Sequence, residues 1–351
     1  MKNNKLVILS VFLLLFIYVN SSFDNEFLDK EAIDHDIIEI INKGKHFIAG
    51  VNEKFIGMKN SHFLSLLGRI SYSNHSSIKE KKFNEEELMN IPSEFDLRSE
   101  NLDCPIITHV QDQSHCGSCW ANAASGVISD RVCIHSKAEG RSPINKLISV
   151  NEIMSCTKYL IPFVGGCKGG NEQNAFKYTN INGVVSGGDY EDKETCQPYP
   201  FPPVTDVKEY KTPKCKNTCQ ESSGLIFNED KVFTHEGYKI PNDELQIRAE
   251  IVKNGSVSVG FLVYEDFITY KSGVYKHVTG KKLGGHAVRL IGFGEENNEK
   301  YWLAVNSWNT TFGINGTFKI RRGTNECGIE EDVYSVLPDF TRGKLSNKLI
   351  S

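Results

Sequence analysis

Two cysteines stand three positions apart where a helix is predicted to begin. The segment Gln113-Ser114-His115-Cys116-Gly117-Ser118-Cys119-Trp120 precedes apolar residues spaced three and four apart, which indicates a helix starting near Ser118. A thiol at a helix N-terminus lies at the positive end of the helix dipole, which favours the thiolate. Because the thiolate is the nucleophilic form, Cys119 is a candidate for covalent catalysis.

A nucleophilic thiol needs a base, and one of the ten histidines has suitable surroundings. His286 follows a glycine pair ending in Gly285, where missing side chains let a substrate backbone approach, and a β-rich run follows. Asn306 ends a later β-rich run, so its amide can accept the imidazole proton and fix the tautomer. Trp308 is expected to shield that bond from water. We therefore predict one catalytic unit of Cys119, His286 and Asn306.

The elements that position these residues divide into a helical half and a strand-rich half. A second helix is predicted after Asn242, an N-cap residue, and ends at Asn254-Gly255. Alternating apolar residues from Val257 to Val263 predict a strand, and the run from Tyr301 to Val305 predicts another. About 260 residues lie beyond Ile91, which is enough for two lobes.

These motifs resemble those of the papain-like cysteine proteases, and within them the cathepsin B group. The resemblance runs from about Ile91 to Val336. Residues 91–98 resemble the start of the mature enzyme, residues 166–170 the glycine wall of the cleft, and residues 270–275 the stretch before the catalytic histidine. It implies an α+β fold of two lobes, helical and β-barrel-like, with the active-site cleft between them. Cys119 and His286 are then expected on opposite lips of that cleft.

The resemblance also implies a role for each site residue. Cys119 is the nucleophile, His286 the general base and later the acid, and Asn306 orients the imidazole. The Gln113 side chain and the Cys119 backbone N–H form the oxyanion hole. Asp332 matches the acidic floor of the second specificity pocket in the cathepsin B group. The expected substrate-binding residues are Gly169, Gly170, Gly285, Trp308 and Asp332.

The chain before residue 91 contains no cysteine and is predicted to have two parts. Lys2 and Lys5 precede the fourteen-residue apolar run from Leu6 to Val19, which is shorter than the roughly 20 residues of a membrane-spanning helix. This order indicates a signal peptide over residues 1–22. Residues 23–90 are then an inhibitory prosegment, with an exposed linker from Ser71 to Glu87, and residues 91–351 are the protease domain.

Cysteine counting agrees with a free nucleophile. All ten cysteines lie at or beyond Cys104, and if Cys119 is free at least one more must be unpaired. The family pattern supplies Cys327 as that second thiol. By resemblance the remaining eight pair as Cys104 with Cys133, Cys116 with Cys167, Cys156 with Cys215, and Cys196 with Cys219.

One departure from the cathepsin B group predicts the type of cleavage. Exopeptidase action in that group uses a long loop with two adjacent histidines that close the primed end of the cleft. Here the corresponding stretch from Cys196 to Cys215 is short, and no histidine lies between His135 and His235. We therefore expect an endopeptidase.

Composition excludes several other partners. Forty basic and 44 acidic residues give a net charge of −4, so no basic field exists to bind nucleic acid or an anionic membrane. No cofactor is expected, and no Cys or His pair has zinc-ligand spacing. The expected partners are protein and peptide substrates and the chain's own prosegment. The signal and the sequons at Asn74, Asn254, Asn309 and Asn315 favour the secretory pathway, with either an acidic lysosome-like compartment or export as the destination.

Two other functions fit parts of the pattern. Cys116 and Cys119 form a C-x-x-C at a helix start, as in dithiol oxidoreductases, although a redox pair needs both thiols free. A binding protein derived from a protease is the second, because residues near the site differ from those usual in the family. These residues are Asn122, Phe312 and Ile314.

Overall fold

Helices predominate in the first half of the chain and strands in the second. The computed structural model describes residues 23–71, 78–157, 165–203 and 209–343, and the predicted signal peptide lies outside them. The α-helices are α1 Asn25–Asp29, α2 His35–Gly44, α3 Asn60–Leu64, α4 Glu85–Leu88, α5 Leu97–Glu100, α6 Cys119–Ala138, α7 Val150–Cys156, α8 Glu172–Asn182, α9 Glu244–Asn254 and α10 Glu265–Ile268. The strands are β1 Ile48–Ala49, β2 Phe95–Asp96, β3 Tyr238–Ile240, β4 Val257–Tyr264, β5 Tyr270–Ser272, β6 Val274–Tyr275, β7 Lys282–Glu296, β8 Glu299–Val305, β9 Thr317–Arg321 and β10 Val333–Ser335.

The helical lobe is built around α6, which begins at Cys119 as the spacing predicted. Its residues are buried on nearly every face, from Cys119 to Cys133 without interruption, so it is a central helix and not a surface one. Helices α7 and α8 pack against it, and their apolar side chains join one core with Trp120 and Val127. No helix among the described residues is long and apolar enough to cross a membrane.

The second lobe is a sheet whose longest strand, β7, carries His286. Within the described residues, the strand order is β3-β10-β4-β7-β8-β9-β6, with β2 also pairing β7. A tight turn at Asn297 and Asn298 joins β7 to β8, and both residues have positive φ, which asparagine tolerates better than most residues. Antiparallel pairing then places Arg289 opposite Val305, so Asn306 leaves β8 close to His286.

Buried ion pairs join the two lobes. The Nη2 atom of Arg131 on α6 lies 2.8 Å from Glu250 Oε1 on α9, and neither side chain is exposed to solvent. The Nε atom of Arg289 on β7 lies 3.4 Å from Asp130 Oδ2, again with both side chains buried. A buried charge without its partner is very unfavourable, so these pairs hold the lobes in one relative position.

Residues before 91 pack mainly on the sheet lobe. Strand β1 pairs with β5, and one hydrophobic core contains side chains from both segments. In α2 the predicted apolar face is present, with Ile37 and Ile41 buried, although Ile40 is 49% exposed. The N-terminal segment therefore completes the core of the sheet lobe.

Two local predictions were wrong. Helix α9 is capped by Asp243 and not Asn242, because the Asp243 side chain accepts the N–H of Gln246 at 3.0 Å. The described part of the tract from Ser71 to Glu87 is not simply an exposed linker. Phe83 is buried because two residues of α9 contact it: its N–H donates to Gln246 Oε1 at 2.8 Å, and Lys253 Nζ lies 5.8 Å from its ring centroid.

Four disulfides lie within the described residues. They are Cys104–Cys133, Cys116–Cys167, Cys156–Cys215 and Cys196–Cys219, the pairs that the resemblance implied. Cys119 and Cys327 are the free thiols of this part of the chain. The Cys156–Cys215 bridge attaches the end of the loop that follows Cys196 to helix α7, and the Cys196–Cys219 bridge closes that loop.

Candidate active site

The first residue of α6 is Cys119, and its side chain is completely buried. The preceding Ser118 has no side-chain capping bond, so the first N–H groups of the helix keep their positive field. The backbone groups near the thiol include the N–H of Ala287 on β7, which brings the sheet lobe to the helix end. The cleft between the lobes therefore contains the thiol.

His286 and Asn306 form the hydrogen bond that the sequence predicted. His286 Nε2 lies 2.8 Å from Asn306 Oδ1, and the same oxygen accepts the N–H of Ser307 at 2.8 Å. Because an amide oxygen only accepts, the proton sits on Nε2 and Nδ1 carries the lone pair. Nδ1 has no hydrogen bond within the described residues, so it is the nitrogen left to take a proton.

The indole of Trp308 covers this hydrogen bond. Its ring stacks on His286 with the centroids 4.5 Å apart, and it is fully buried. Phe312 packs edge-on against it at 5.0 Å, so the aromatic roof is present although phenylalanine replaces the usual tryptophan. Ile314 lies beyond this contact, where its N–H donates to Thr317 O at 2.8 Å.

Gln113 presents its side-chain amide beside the thiol. Its Oε1 accepts the hydroxyl of Ser307 at 2.7 Å, which fixes the amide so that Nε2 donates to Cys116 O at 2.8 Å. Nε2 also donates to Leu66 O, a carbonyl of the N-terminal segment, at 2.9 Å. The predicted oxyanion donor is therefore occupied by a peptide carbonyl, which is the group it is expected to bind.

Residues 66–70, here called the cleft segment, run across the site. Gly68 O accepts the N–H of Gly170 at 2.9 Å, and Ile70 N–H donates to Gly170 O at 2.8 Å. Arg69 N–H donates to Gly285 O at 3.2 Å. Glycines on both lips thus bind the backbone of the cleft segment. Gly169 makes none of these bonds, because its own N–H and C=O bond to Gly166 and Gly165.

Close approach at the thiol requires glycine in the cleft segment. A Cβ at Gly68 would lie 1.9 Å from Gly117 O, so no side chain fits there. This approach excludes water, and burial raises the pKa of the Cys119 thiol to about 12, with the charge of Glu172 acting in the same direction. Burial lowers the pKa of His286 to about 4, although the hydrogen bond that its Nε2 donates to Asn306 acts in the opposite direction. With these pKa values the thiol and the imidazole are both neutral in the covered site at neutral pH.

Known proteins share this arrangement. Residues 91–337 match the sequence profile of the papain family cysteine proteases. The chain belongs to that family. A cathepsin B-like cysteine proteinase of Schistosoma japonicum is 42% identical over 257 residues, 70% of this chain and 73% of its own. A gut-specific cysteine proteinase of Caenorhabditis elegans is 44% identical over 248 residues, with the same coverage.

A solved structure extends the likeness to the N-terminal segment. The structure of "proCathepsin B S9" from Trypanosoma congolense is 33% identical, covers 88% of this chain and 100% of its own, and superposes with a TM-score of 0.78. The chain is thus a papain-family cysteine peptidase made as a precursor, and we propose that its N-terminal segment is the prosegment. The two-lobed α+β fold predicted from the sequence is confirmed.

The disulfides argue against a dithiol oxidoreductase. Cys116 is bridged to Cys167 with the α-carbons 4.5 Å apart, so it is not a free partner for Cys119. Asn122, which replaces a usual aromatic, donates through Nδ2 to Ser118 O at 3.0 Å and is buried in α6. It therefore stabilises the start of the helix and leaves the thiol in place. The described residues contain no group of three or more metal-ligating side chains.

Sequence reasoning missed two charged residues of the site. Arg69 of the cleft segment donates from Nη2 to Asp332 Oδ2 at 2.9 Å and from Nε to Glu172 Oε1 at 3.2 Å. Asp332 was predicted as a pocket floor, but Glu172 and Arg69 were not singled out. The position of Glu172, two residues after the glycine wall, was the signal that could have found it. Lys54 of the prosegment similarly forms an ion pair with Asp112, which neighbours Gln113.

The loop that begins at Cys196 packs against its own lobe where it is described. Tyr199 OH donates to Gln113 O at 2.6 Å, and the rings of Phe201 and Tyr210 stack with centroids 4.3 Å apart. Pro202 O accepts the Ser114 hydroxyl at 2.5 Å. Residues 204–208, including Lys208, lie outside the described part. These contacts hold the described loop beside the oxyanion-hole glutamine.

Proposed function

We propose that this precursor gives a cysteine endopeptidase that cleaves protein substrates through an acyl-enzyme. The hydrogen bond from His286 Nε2 to Asn306 Oδ1 carries the proposal, because it leaves Nδ1 as the base for the Cys119 thiol. Cys119 attacks the substrate carbonyl, and His286 gives the proton to the leaving amine. Water, activated by the same imidazole, then releases the acyl group.

The oxyanion formed during attack needs donors already in place. Gln113 is fixed through Ser307, and its Nε2 keeps one hydrogen bond to Cys116 O. The second N–H, which donates to Leu66 O in the precursor, becomes available to a substrate carbonyl oxygen once Leu66 has left. The backbone N–H of Cys119 supplies the second donor at the start of α6. Gly170 and Gly285, which bind the cleft segment, bind the substrate backbone in the same way.

Removal of the prosegment activates the enzyme. While residues 66–70 cover the thiol, burial keeps both Cys119 and His286 neutral and water is excluded. Uncovering the site lets solvent and the helix dipole stabilise the ion pair, so the nucleophile forms. The signal-like start, the disulfides and the sequons favour a secretory route to an acidic compartment or to the outside.

Endopeptidase action is proposed because, among the described residues, a cleft lies open beside the site. A cleft of about 210 Å³ lies beside Gln111 and Asp112, lined further by Tyr190, Tyr199 and Phe201. The described part of the loop after Cys196 is held against residues 113–115 and brings no histidine to this cleft. A long substrate can therefore continue past the scissile bond.

The first experiment tests the nucleophile. The precursor is activated by acid, its new N-terminus is sequenced, and the product is titrated with a thiol-directed epoxide inhibitor. We expect one equivalent to be bound at Cys119 and hydrolysis to stop. A Cys327→Ser control, which removes the second free thiol, should titrate identically. Full hydrolysis after stoichiometric labelling of Cys119 contradicts the proposal.

The second experiment tests the cleavage type. Peptides with a free C-terminus are compared with the same peptides amidated, and cleavage positions are read by mass spectrometry. We expect internal cuts that do not depend on the terminus. Release of successive C-terminal dipeptides that amidation abolishes would show a carboxyl-terminal dipeptidase instead.

A further inference from the structure

A prosegment arginine fills a built pocket beside the catalytic thiol. The Arg69 side chain is only 9% exposed, and its guanidinium bonds to two different carboxylates through two different nitrogens. Nε donates to Glu172 and Nη2 donates to Asp332, two residues that lie far apart in the sequence. A planar guanidinium suits this arrangement, since its donors point in fixed directions. The pocket therefore suits a guanidinium group.

The pocket has room for this side chain because β4 carries a glycine. A Cβ at Gly260 would lie 1.9 Å from Arg69 Nε, so any larger residue there would block the space. Gly285 on the neighbouring strand accepts the Arg69 N–H and fixes the backbone at the mouth of the pocket. Shape and backbone contacts therefore select a long side chain at this position.

The two carboxylates differ in what else they contact. Asp332 also accepts the hydroxyls of Ser71 at 3.0 Å and Tyr334 at 3.1 Å. Glu172 is fully buried, and within the described residues the bond from Arg69 is the only hydrogen bond to its carboxylate. Its Oε2 has no partner in that part of the protein. Departure of the prosegment removes the cation that binds Glu172.

We propose that Glu172 is a second specificity carboxylate of this protease, which together with Asp332 binds an arginine side chain of the substrate. The inference rests on the proposed peptidase activity and adds the substrate class to it. A buried carboxylate is unfavourable unless it is paired, so a substrate guanidinium in this pocket replaces the lost Arg69. Arg69 is then a substrate-like element, and self-inhibition and substrate choice use one pocket.

The charge of Glu172 also connects the pocket to the nucleophile. It is among the groups that raise the pKa of the Cys119 thiol, after burial itself. A guanidinium beside Glu172 adds a positive charge near the thiol, which favours the thiolate. An arginine substrate therefore both fills the pocket and assists the thiol, which a neutral side chain of the same shape cannot do.

The test uses the activated enzyme and three peptides that differ in one residue. The second residue before the scissile bond is arginine, citrulline or leucine; citrulline has the shape of arginine without its charge. The ratio of kcat/KM values cancels any difference in the amount of active enzyme. We expect the wild-type enzyme to prefer arginine over citrulline by about tenfold or more, since an unpaired buried charge costs at least that factor.

Glu172→Gln should lower the arginine-to-citrulline ratio by about tenfold, and Asp332→Asn should lower it less because Asp332 is less buried. Glu221→Gln, which changes an exposed glutamate on the surface, is the matched control and should leave the ratio unchanged. An unaltered ratio in Glu172→Gln overturns the inference. If that variant does not fold, equal wild-type rates on arginine and citrulline overturn it instead. Absence of all hydrolysis by the wild-type enzyme is a failure of the proposed peptidase activity and is recognised separately.

Discussion

The prosegment contacts the mature body in two regions of opposite chemistry. Its anchor phenylalanines, Phe47, Phe55 and Phe63, pack on aromatic residues of the sheet lobe. The ring centroids of Phe55 and Phe63 each lie 5.4 Å from the ring centroid of Trp308. The ring centroid of Phe47 lies 5.2 Å from that of Tyr275. The cleft segment instead uses backbone hydrogen bonds and the ion pairs of Arg69.

The two regions have different tasks: the anchor phenylalanines attach the prosegment, and the cleft segment covers the thiol. Apolar burial does not titrate, so the anchor phenylalanines stabilise the precursor equally at neutral and acid pH. Asp332, which binds Arg69, has a lowered pKa in the precursor, so the cleft segment is the part that acid can loosen. The prosegment therefore has a pH-independent attachment and a pH-dependent cover over the thiol.

Removing the chemistry should give the largest effect and leave both contact regions in place. Cys119→Ser and His286→Ala should each lower peptide hydrolysis by roughly a millionfold, and the double variant should lower it little further, because the two groups act as one unit. The measurement is kcat/KM of the activated enzymes. Near-wild-type hydrolysis by either single variant would end the thiol-protease assignment.

Phe55→Ala should break the apolar region. Phe55 is completely buried between Phe63, Trp308 and Phe312, so its loss should lower the free energy of unfolding by about 3–5 kcal/mol. Denaturant unfolding is measured in a Cys119→Ser background, where the precursor cannot process itself. Ile56→Ala, at a neighbouring side chain that is 66% exposed, is the control and should change little. Equal effects of the two changes would show that Phe55 is not an anchor.

Arg69→Ala should break the charged region. It leaves Glu172 and Asp332 without their shared cation, and we expect prosegment docking to weaken by about 2 kcal/mol. The rate at which a thiol reagent modifies Cys119 in the precursor reports the uncovered fraction. Arg98→Ala removes an ion pair within the mature body and is the control. An unchanged modification rate in Arg69→Ala would show that the backbone bonds alone cover the thiol.

Acidification should give the smallest effect and separates the two regions directly. Burial by itself raises the pKa of Asp332, but the hydrogen bond and charge of Arg69 hold it below its ordinary value. Uncovered Asp332 loses Arg69 and binds a proton more readily, so docking is constant above about pH 4 and weakens as pH falls below it. Because Asp332 is part-solvated, this contribution is under about 1 kcal/mol.

The measurement is the pH dependence of Cys119 modification by an aromatic disulfide, which reacts with thiols at acid pH. We expect Phe55→Ala to raise the rate at every pH by one factor, and Asp332→Asn to remove the rise below about pH 4. A retained acid rise in Asp332→Asn assigns the pH dependence to other carboxylates.

Local sequence patterns were enough to predict the candidate catalytic residues. The spacing after Cys119 predicted α6, which begins at that residue, because a thiol at a helix end needs only a helix start signal nearby. His286 and Asn306 could be paired since each adjoins a β-rich run and the hairpin between them fixes their approach. The wrong assignment of Asn242 as a cap has the opposite cause: two adjacent residues both suit an N-cap, and only backbone geometry chooses Asp243.

What the sequence by itself determined is therefore the set of candidate residues: a nucleophile, its base and the orienting amide were proposed from short motifs, and the oxyanion donor from the family resemblance. The tertiary structure decided which segment covers the thiol and which side chain fills the pocket beside it. Arg69 meets Glu172 and Asp332 from 103 and 263 positions away, and no local pattern links residues so distant. The neutral state of Cys119 and His286 likewise depends on water being excluded by the cleft segment, and burial is a property of the packed chain and not of any motif.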